Sequence, residues 1–183
     1  MECRPSSIPE VLLLTPRRHH DARGYFFEAY QQQRYQQILG SSVSFVQDNV
    51  SCSRQHVLRG LHYQIGQAEQ GKLVQVLQGA ILDVAVDLRR GSPSFGRWTA
   101  NRLDQESGVQ CWIPPGFAHG FLTLSEQALV SYKTTAPYCQ AAERGVRWND
   151  PDLTIDWGAD QPLLSDKDAA LPCLADGLEL PSS

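Results

Sequence analysis

Between Lys72 and Thr134 the chain is a succession of short runs with a period of two. Val74 and Val76 alternate with Gln75, Gly79 marks a turn, and Val84, Val86 and Leu88 alternate with Asp83, Ala85 and Asp87. Successive side chains of a strand point to opposite faces, so this spacing predicts strands with one face buried. Further short strands are expected at 96–101, 108–113, 120–124 and 128–134, separated by Gly, Ser, Asp or Pro. Many short strands at close spacing, with few helices, predict an all-β barrel or sandwich. Upstream, Val11 to Leu14 reads as a strand ended by Pro16, and Asp21-Ala22-Arg23-Gly24 as a turn. Tyr30 to Leu39 is the best helix candidate, with Gly40 where a C-terminal cap belongs. Strand character returns over Ser44 to Val50, and Ser165-Asp166-Lys167-Asp168 resembles a helix start. With no repeat or low-complexity linker, the 183 residues read as a single domain, 1–183, large enough to bury a core.

Bulk composition narrows what such a domain can do. The formal net charge of −4 argues against a general nucleic-acid binder, which usually carries a basic excess. It leaves room for a local basic pocket around one phosphorylated ligand. The five cysteines, Cys3, Cys52, Cys111, Cys139 and Cys173, are odd in number, scattered and free of any C-x-x-C pair. A reduced, cytoplasmic setting is therefore expected, without a zinc knuckle or a redox motif. The first residues contain no apolar signal segment, and no stretch approaches the length of a membrane span.

Polar residues then interrupt strands where a simple core would exclude them. Val57-Leu58-Arg59-Gly60-Leu61-His62-Tyr63-Gln64 would be a buried strand but for a cation, a glycine and a histidine. Histidine titrates near neutral pH and is the commonest proton acceptor, which makes His62 a candidate general base. The plainer reading is a half-buried, hydrogen-bonded strand histidine. Strict alternation puts Leu58, Gly60, His62 and Gln64 on one face and Arg59 on the other. Arg59 and His62 share a pocket only if the strand is distorted between them, and Gly60 is where a bulge forms most easily.

Lys72 has the parity of Val74 and Val76 and should point inward, where an ammonium needs an anionic partner. An exposed lysine at a strand start is the plainer reading. Tyr132 shares a face with Val130 and Thr134, as many core tyrosines do. Asp168, three residues after Ser165, fits a capping box in which Asp replaces Glu. Arg23 and Arg59 each precede a glycine, a setting in which phosphate oxygens can be gripped bidentately. Neither a P-loop nor a dinucleotide glycine pattern occurs. A divalent metal would have only His62 and His119 as credible ligands, with a carboxylate such as Glu28 needed as a third, so no metal is expected.

Several of these segments occur together in one known family. Asp21-Ala22-Arg23-Gly24-Tyr25-Phe26-Phe27-Glu28, Phe45-Val46-Gln47-Asp48-Asn49 and the run from Val57 to Gln64 are followed by Gln70-Gly71-Lys72-Leu73-Val74 and Asp83-Val84-Ala85-Val86-Asp87-Leu88-Arg89. Ile113-Pro114-Pro115-Gly116-Phe117-Ala118-His119-Gly120-Phe121, Tyr132-Lys133-Thr134-Thr135, Trp148-Asn149-Asp150-Pro151 and Leu164-Ser165-Asp166-Lys167-Asp168 complete the series. In this order, over almost the whole chain, they resemble the dTDP-4-dehydrorhamnose 3,5-epimerases, cofactor-free cupins of dTDP-L-rhamnose synthesis.

The resemblance implies a cupin-like double-stranded β-helix, a jelly-roll barrel with a few short flanking helices. It implies epimerisation of dTDP-4-dehydro-6-deoxyglucose at C3 and C5 without a cofactor, in a homodimer with an exchanged N-terminal strand. His62 would remove the proton alpha to the C4 ketone, with Asp168 against its ring. Lys72 would stabilise the enolate oxygen, and Tyr132 would return a proton on the opposite face. Arg23, Glu28, Gln47, Asp48, Asn49, Arg59, His119, Glu143 and Lys167 would contact the nucleotide sugar, and Tyr138 would stack on thymine. Relatives that epimerise one carbon, and sugar-nucleotide-binding cupins without activity, share much of this pattern. The chain departs from it at Ala136-Pro137, just before Tyr138, and at Gly158.

Overall fold

The computed structural model describes Met1–Pro181. Strands β1 (Glu2–Pro5), β2 (Leu12–Thr15), β3 (His19–Asp21) and β4 (Gly24–Phe26) precede helix α1 (Gln32–Leu39). The main body follows as β5 (Gln47–Arg54), β6 (Leu58–Gln64), β7 (Lys72–Gln78), β8 (Ala80–Asp87), β9 (Trp98–Asp104), β10 (Gln110–Ile113), β11 (Phe117–Thr123) and β12 (Gln127–Thr134). A short β13 (Glu143–Gly145) and helix α2 (Asp166–Ala169) close the chain. The six-stranded sheet runs β1-β2-β10-β7-β12-β5 and the five-stranded sheet β13-β6-β11-β8-β9, with antiparallel pairing throughout. From β5 to β13 consecutive strands alternate between the sheets except at β8 and β9, which pair within one, while β3 and β4 pair apart as a hairpin; this is the jelly-roll barrel that the strand pattern and the resemblance predict. Among the described residues no helix is long and apolar enough to cross a membrane.

Alternation decides which face each residue buries. Val74, Val76, Ile81, Ala85, Cys111, Ile113, Phe117, Phe121, Ala128 and Val130 fill the barrel interior between the sheets. The opposite parity serves two outer layers. Leu73 and Trp112 meet Tyr35 of α1, while Leu58, Leu61, Val84, Val86 and Leu122 are covered by Val146, Leu153 and Trp157 of the C-terminal segment. At roughly 1.5–3 kcal/mol per buried large apolar side chain, these three clusters dominate the favourable side of folding.

The predicted helix runs from Gln32, and Gly40 caps it at positive φ (+112°) by donating its N–H to the Gln36 carbonyl. Four short strands escape the sequence reading, β3 and β4 among them, both exposed at every residue. β1 is exposed at all four residues and β13 is three residues long, so neither shows an apolar alternation.

Asp87 ties down the loop after β8. Its fully buried carboxylate accepts bonds from Arg89 at 2.7 and 2.9 Å and from the hydroxyls of Ser92 and Ser94. Burial pushes its pKa up, but these four donors outweigh burial and bring it down to about 2.

Candidate active site

The strand from Leu58 to Gln64 carries a bulge. Arg59 pairs with Phe121 and His62 with His119, so three steps on β6 oppose two on β11. Gly60 makes this possible. Its φ is +116°, and a Cβ there would lie 2.6 Å from Gly120 Cα and 2.7 Å from the His119 carbonyl oxygen. The peptide between Gly60 and Leu61 is cis. Because of the extra residue, Leu58 and Leu61 both face the outer core, and Arg59 and His62 both line the same cleft. The conflict in strict alternation is resolved as the glycine predicted.

The cleft opens at one end of the barrel and has two lobes, of about 160 and 300 Å³, that share His62, Lys72 and Tyr132. Gln47, Asn49, Gln64, Gln70, Tyr138 and Glu143 line the smaller lobe, and Ser51, Arg59, His119, Phe121, Lys167 and Asp168 the larger. His62 projects from the five-stranded sheet, whereas Lys72 and Tyr132 project from the six-stranded one. The three therefore face one another across the space a ligand would fill.

His62 Nε2 lies 2.6 Å from Asp168 Oδ1. A long detour brings them together: Leu163 exchanges backbone bonds with His56 and Leu58, which sets down α2 beside β6. Ser165 caps α2 by accepting the Asp168 N–H at 3.1 Å, so the predicted cap exists. The Asp168 carboxylate does not close the box and turns to His62 instead. Burial pushes the Asp168 pKa up, but the His62 contact and charge, the Ser165 hydroxyl and the Gly60 backbone together hold it below the usual carboxylate range.

Lys72 is buried on the interior side of β7, as its parity requires, and its Nζ donates to the His62 carbonyl at 3.3 Å. Burial lowers its pKa to about 8, against the opposing pull of Asp83 and Glu143. Burial raises that of Tyr132, with Arg59 opposing and Glu143 assisting, so its phenol stays protonated at neutral pH. His119 meets Asp83 through Nε2 at 2.6 Å, and burial, more than that pairing, sets its pKa, which lies below the ordinary value. Both cleft histidines thus have a ring nitrogen engaged by a carboxylate.

The remaining candidates divide. Gln47 and Asn49 face the smaller lobe and bond each other at 2.8 Å, while the Gln47 side chain also accepts the Tyr138 N–H. Glu143 receives the Tyr138 hydroxyl at 2.9 Å and the Lys167 ammonium at 2.6 Å, closing the rim. Asp48 alternates outward and pairs with Lys133 on the outer face of β5 and β12, so its side chain lies outside the cleft, contrary to expectation. Arg23 and Glu28 are also away from it. Arg23, almost fully exposed at the β3–β4 turn, pairs with Asp21, and Glu28 pairs with Arg34. Neither side chain lines the cleft.

Sequence reasoning passed over Gln64 and Asp83. Gln64 spans the loop carrying Tyr138, donating to the carbonyls of Ala68 and Pro137 and accepting from the Cys139 N–H. Gln70 holds the Ala136 carbonyl in the same way. Because the loop is held through backbone carbonyls, Ala136 and Pro137 stand where the family shows other side chains without releasing it. Asp83 was visible as an acid at interior parity between Ile81 and Ala85.

The geometry has clear relatives. A family model described as dTDP-4-dehydrorhamnose 3,5-epimerase matches residues 5–176. A dTDP-4-dehydrorhamnose 3,5-epimerase of Pseudomonas aeruginosa is 54% identical, over 96% of this chain and 97% of its own. The crystal structure of the Legionella pneumophila 3,5-epimerase in complex with dTDP-4-keto-L-rhamnose superposes with a TM-score of 0.95 at 46% identity, covering 100% of this chain and 98% of that one. A 3'-monoepimerase from Streptomyces bikiniensis, in complex with dTDP-quinovose, gives 0.91 at 38% identity, covering 98% and 92%. Matched by sequence over nearly its full length and by structure over all of it, the chain belongs to the dTDP-4-dehydrorhamnose 3,5-epimerase family.

Proposed function

We propose that this chain, acting as one domain, inverts C3 and C5 of dTDP-4-dehydro-6-deoxy-α-D-glucose to give dTDP-4-dehydro-β-L-rhamnose. The observation that carries the reading is the placement of His62 and Tyr132 on opposing sheets around one cleft that Lys72 also lines. His62 takes the proton alpha to the C4 ketone, and the electrons of the C–H bond move into the enolate. Asp168 fixes the ring and supports the charge it gains, as carboxylate–imidazole pairs do. The Lys72 ammonium faces the enolate oxygen, where a fixed cation in a desolvated site contributes several kcal/mol. Tyr132 then protonates the carbon from the other side, which inverts it. Once His62 has released its proton to solvent and Tyr132 has taken one up, repeating this at the second carbon alpha to the same ketone gives the double epimer. The substrate's own carbonyl serves as the electron sink, so the reaction needs neither a nicotinamide nor a metal, and a chelator should leave it unchanged.

Arg59, Lys167 and Tyr138 suit the diphosphate and thymine, with Gln47, Asn49, His119 and Glu143 as further polar contacts. Arg23 and Glu28 would join them from a second copy. Tyr25 and Phe26 are 52% and 71% exposed on the β3–β4 hairpin, and β5 ends its sheet with Val50 63% exposed. These surfaces favour a homodimer in which one hairpin lies over the partner's cleft. Five unpaired cysteines suit the cytoplasm.

Incubation with the 4-keto substrate in deuterated buffer tests the reading. Label at both C3 and C5 is expected. Label at one carbon assigns a single-carbon epimerase, the reading that the likeness to the 3'-monoepimerase keeps open. No label at either carbon leaves a sugar-nucleotide-binding protein.

A further inference from the structure

Among the described residues Asp83 is a buried acid of the barrel that the mechanism above does not use and that, unlike Asp87, has no arginine against it. It lies in the middle of β8, 1% exposed, with its side chain at the interior parity of Ile81 and Ala85. One carboxylate oxygen holds His119 Nε2 at 2.6 Å. The other is fully buried and, among the described residues, accepts from no N–H or O–H; only the weakly donating Cys111 thiol reaches the carboxylate. A buried, half-satisfied carboxylate is costly unless an opposite charge compensates it. The facing sheet supplies that charge, for Lys72 is buried at the interior parity of β7. No ion pair within 4 Å joins the two among the described residues, so they act on each other across the low-dielectric interior.

We propose that Asp83 is a positioning residue of the site: the buried counter-ion of Lys72 and the orienting partner of the His119 ring. This rests on the proposed role of Lys72 at the ketone oxygen. The groups facing Lys72 are His62 on β6, Asp83 on β8, Cys111 on β10, His119 on β11, Tyr132 on β12 and Glu143 on β13. Among them only Asp83 and Glu143 bear negative charge that favours the ammonium, Asp83 more strongly. Tyr132 stays neutral, and so does Cys111, whose thiol is pushed well above its usual range by burial and then by Asp83 itself. Glu143 is already engaged by Lys167 and Tyr138 at the rim. The deep carboxylate is the one left to serve Lys72. Its bond to His119 also has a directional consequence. A neutral imidazole that donates Nε2–H to a carboxylate keeps Nδ1 as an acceptor, suited to a sugar hydroxyl.

Asp83→Asn separates charge from shape, because the amide oxygen can still accept from His119 Nε2. The Lys72 side-chain amine is titrated by NMR in isotope-labelled protein, assigned with Lys72→Arg, so the readout needs no turnover. In the wild type the midpoint is expected near 8. In Asp83→Asn it should fall by roughly one pH unit or more, the basic limb of kcat should move with it, and KM should change little. Asp83→Glu, which keeps the charge, should restore most of the midpoint. A midpoint within a few tenths of wild type in Asp83→Asn overturns the inference, while failure of the epimerase reading would appear as unlabelled sugar in deuterated buffer. Should Asp83→Asn not fold, Glu143→Gln carries the test. It leaves Asp83 in place and should shift the midpoint by only a few tenths, and a drop of a full unit would assign the counter-ion role to Glu143 instead.

Discussion

His62 and Asp168, 106 residues apart, meet at 2.6 Å because a bulge turns one inward and a capped helix delivers the other. His62→Ala should lower the rate of solvent deuterium entry by roughly 10²–10⁴-fold, the usual contribution of a positioned base. Affinity for dTDP should be nearly unchanged, since in the proposed reaction the dyad acts on the sugar and not on the nucleotide. Asp168→Asn keeps the cap, because the backbone N–H still reaches Ser165, and should lower kcat by roughly 10–100-fold. Equal turnover in wild type and His62→Ala would remove His62 as the base.

Lys72 gives activity and stability opposite slopes in alkali. In the proposed reaction the ammonium stabilises the enolate, so kcat should fall as pH rises through about 8. The folded pKa of about 8 lies below the ordinary lysine value of 10.5, so between them the unfolded chain binds more protons. The fold therefore gains stability from Lys72 as pH rises across that window. Lys72→Arg should abolish the limb, because a guanidinium does not titrate there. A limb that persists in Lys72→Arg assigns it to another group.

The bulge makes Gly60 irreplaceable. An alanine Cβ would meet backbone at 2.6–2.7 Å on β11, and φ +116° disfavours any L side chain. Gly60→Ala should cost about 2–4 kcal/mol in urea unfolding. Any folded fraction should also lose activity, since β6 would have to slide and carry His62 with it. Wild-type stability in Gly60→Ala would show that the strand relaxes freely.

The fold and the dyad were legible in the sequence to different degrees. Period-two runs bounded by glycines locate the central strands of the barrel, because each of these buries a face. β1 buries none and left no signal. Arg59 and Gly60 announced a bulge, since two pocket residues of opposite parity need one. Asp48 was misread because its segment lies beside the cleft while its own parity points outward. The choice between cap and dyad for Asp168 could not be made locally, for it depends on where Leu163 pairs with the strand before His62.

Asp87 should govern part of the acid stability. Its folded pKa, about 2, lies below the ordinary value of 3.8, so its contribution is complete above about pH 4 and is lost as pH falls through 2. The depression corresponds to about 2 kcal/mol. Asp87→Asn should therefore unfold at lower urea near pH 7, with the difference from wild type shrinking towards pH 2. A constant difference across that range would place the effect in packing rather than charge.

The hairpin carrying Arg23 points away from its own cleft, which makes subunit mixing informative. If the proposed dimer and roles hold, Arg23→Ala and His62→Ala proteins should each be nearly inactive, one lacking the proposed phosphate contact and the other the proposed base. If Arg23 serves the partner's cleft, a heterodimer of the two holds one site with both residues intact and one with neither. Random re-association yields half heterodimers, so the mixture should recover about a quarter of wild-type activity. If Arg23 serves its own cleft, every heterodimer site lacks one of the two residues, and mixing recovers nothing. Sedimentation at micromolar concentration should show the dimer in both parents, because neither substitution removes Tyr25, Phe26 or the exposed edge of β5.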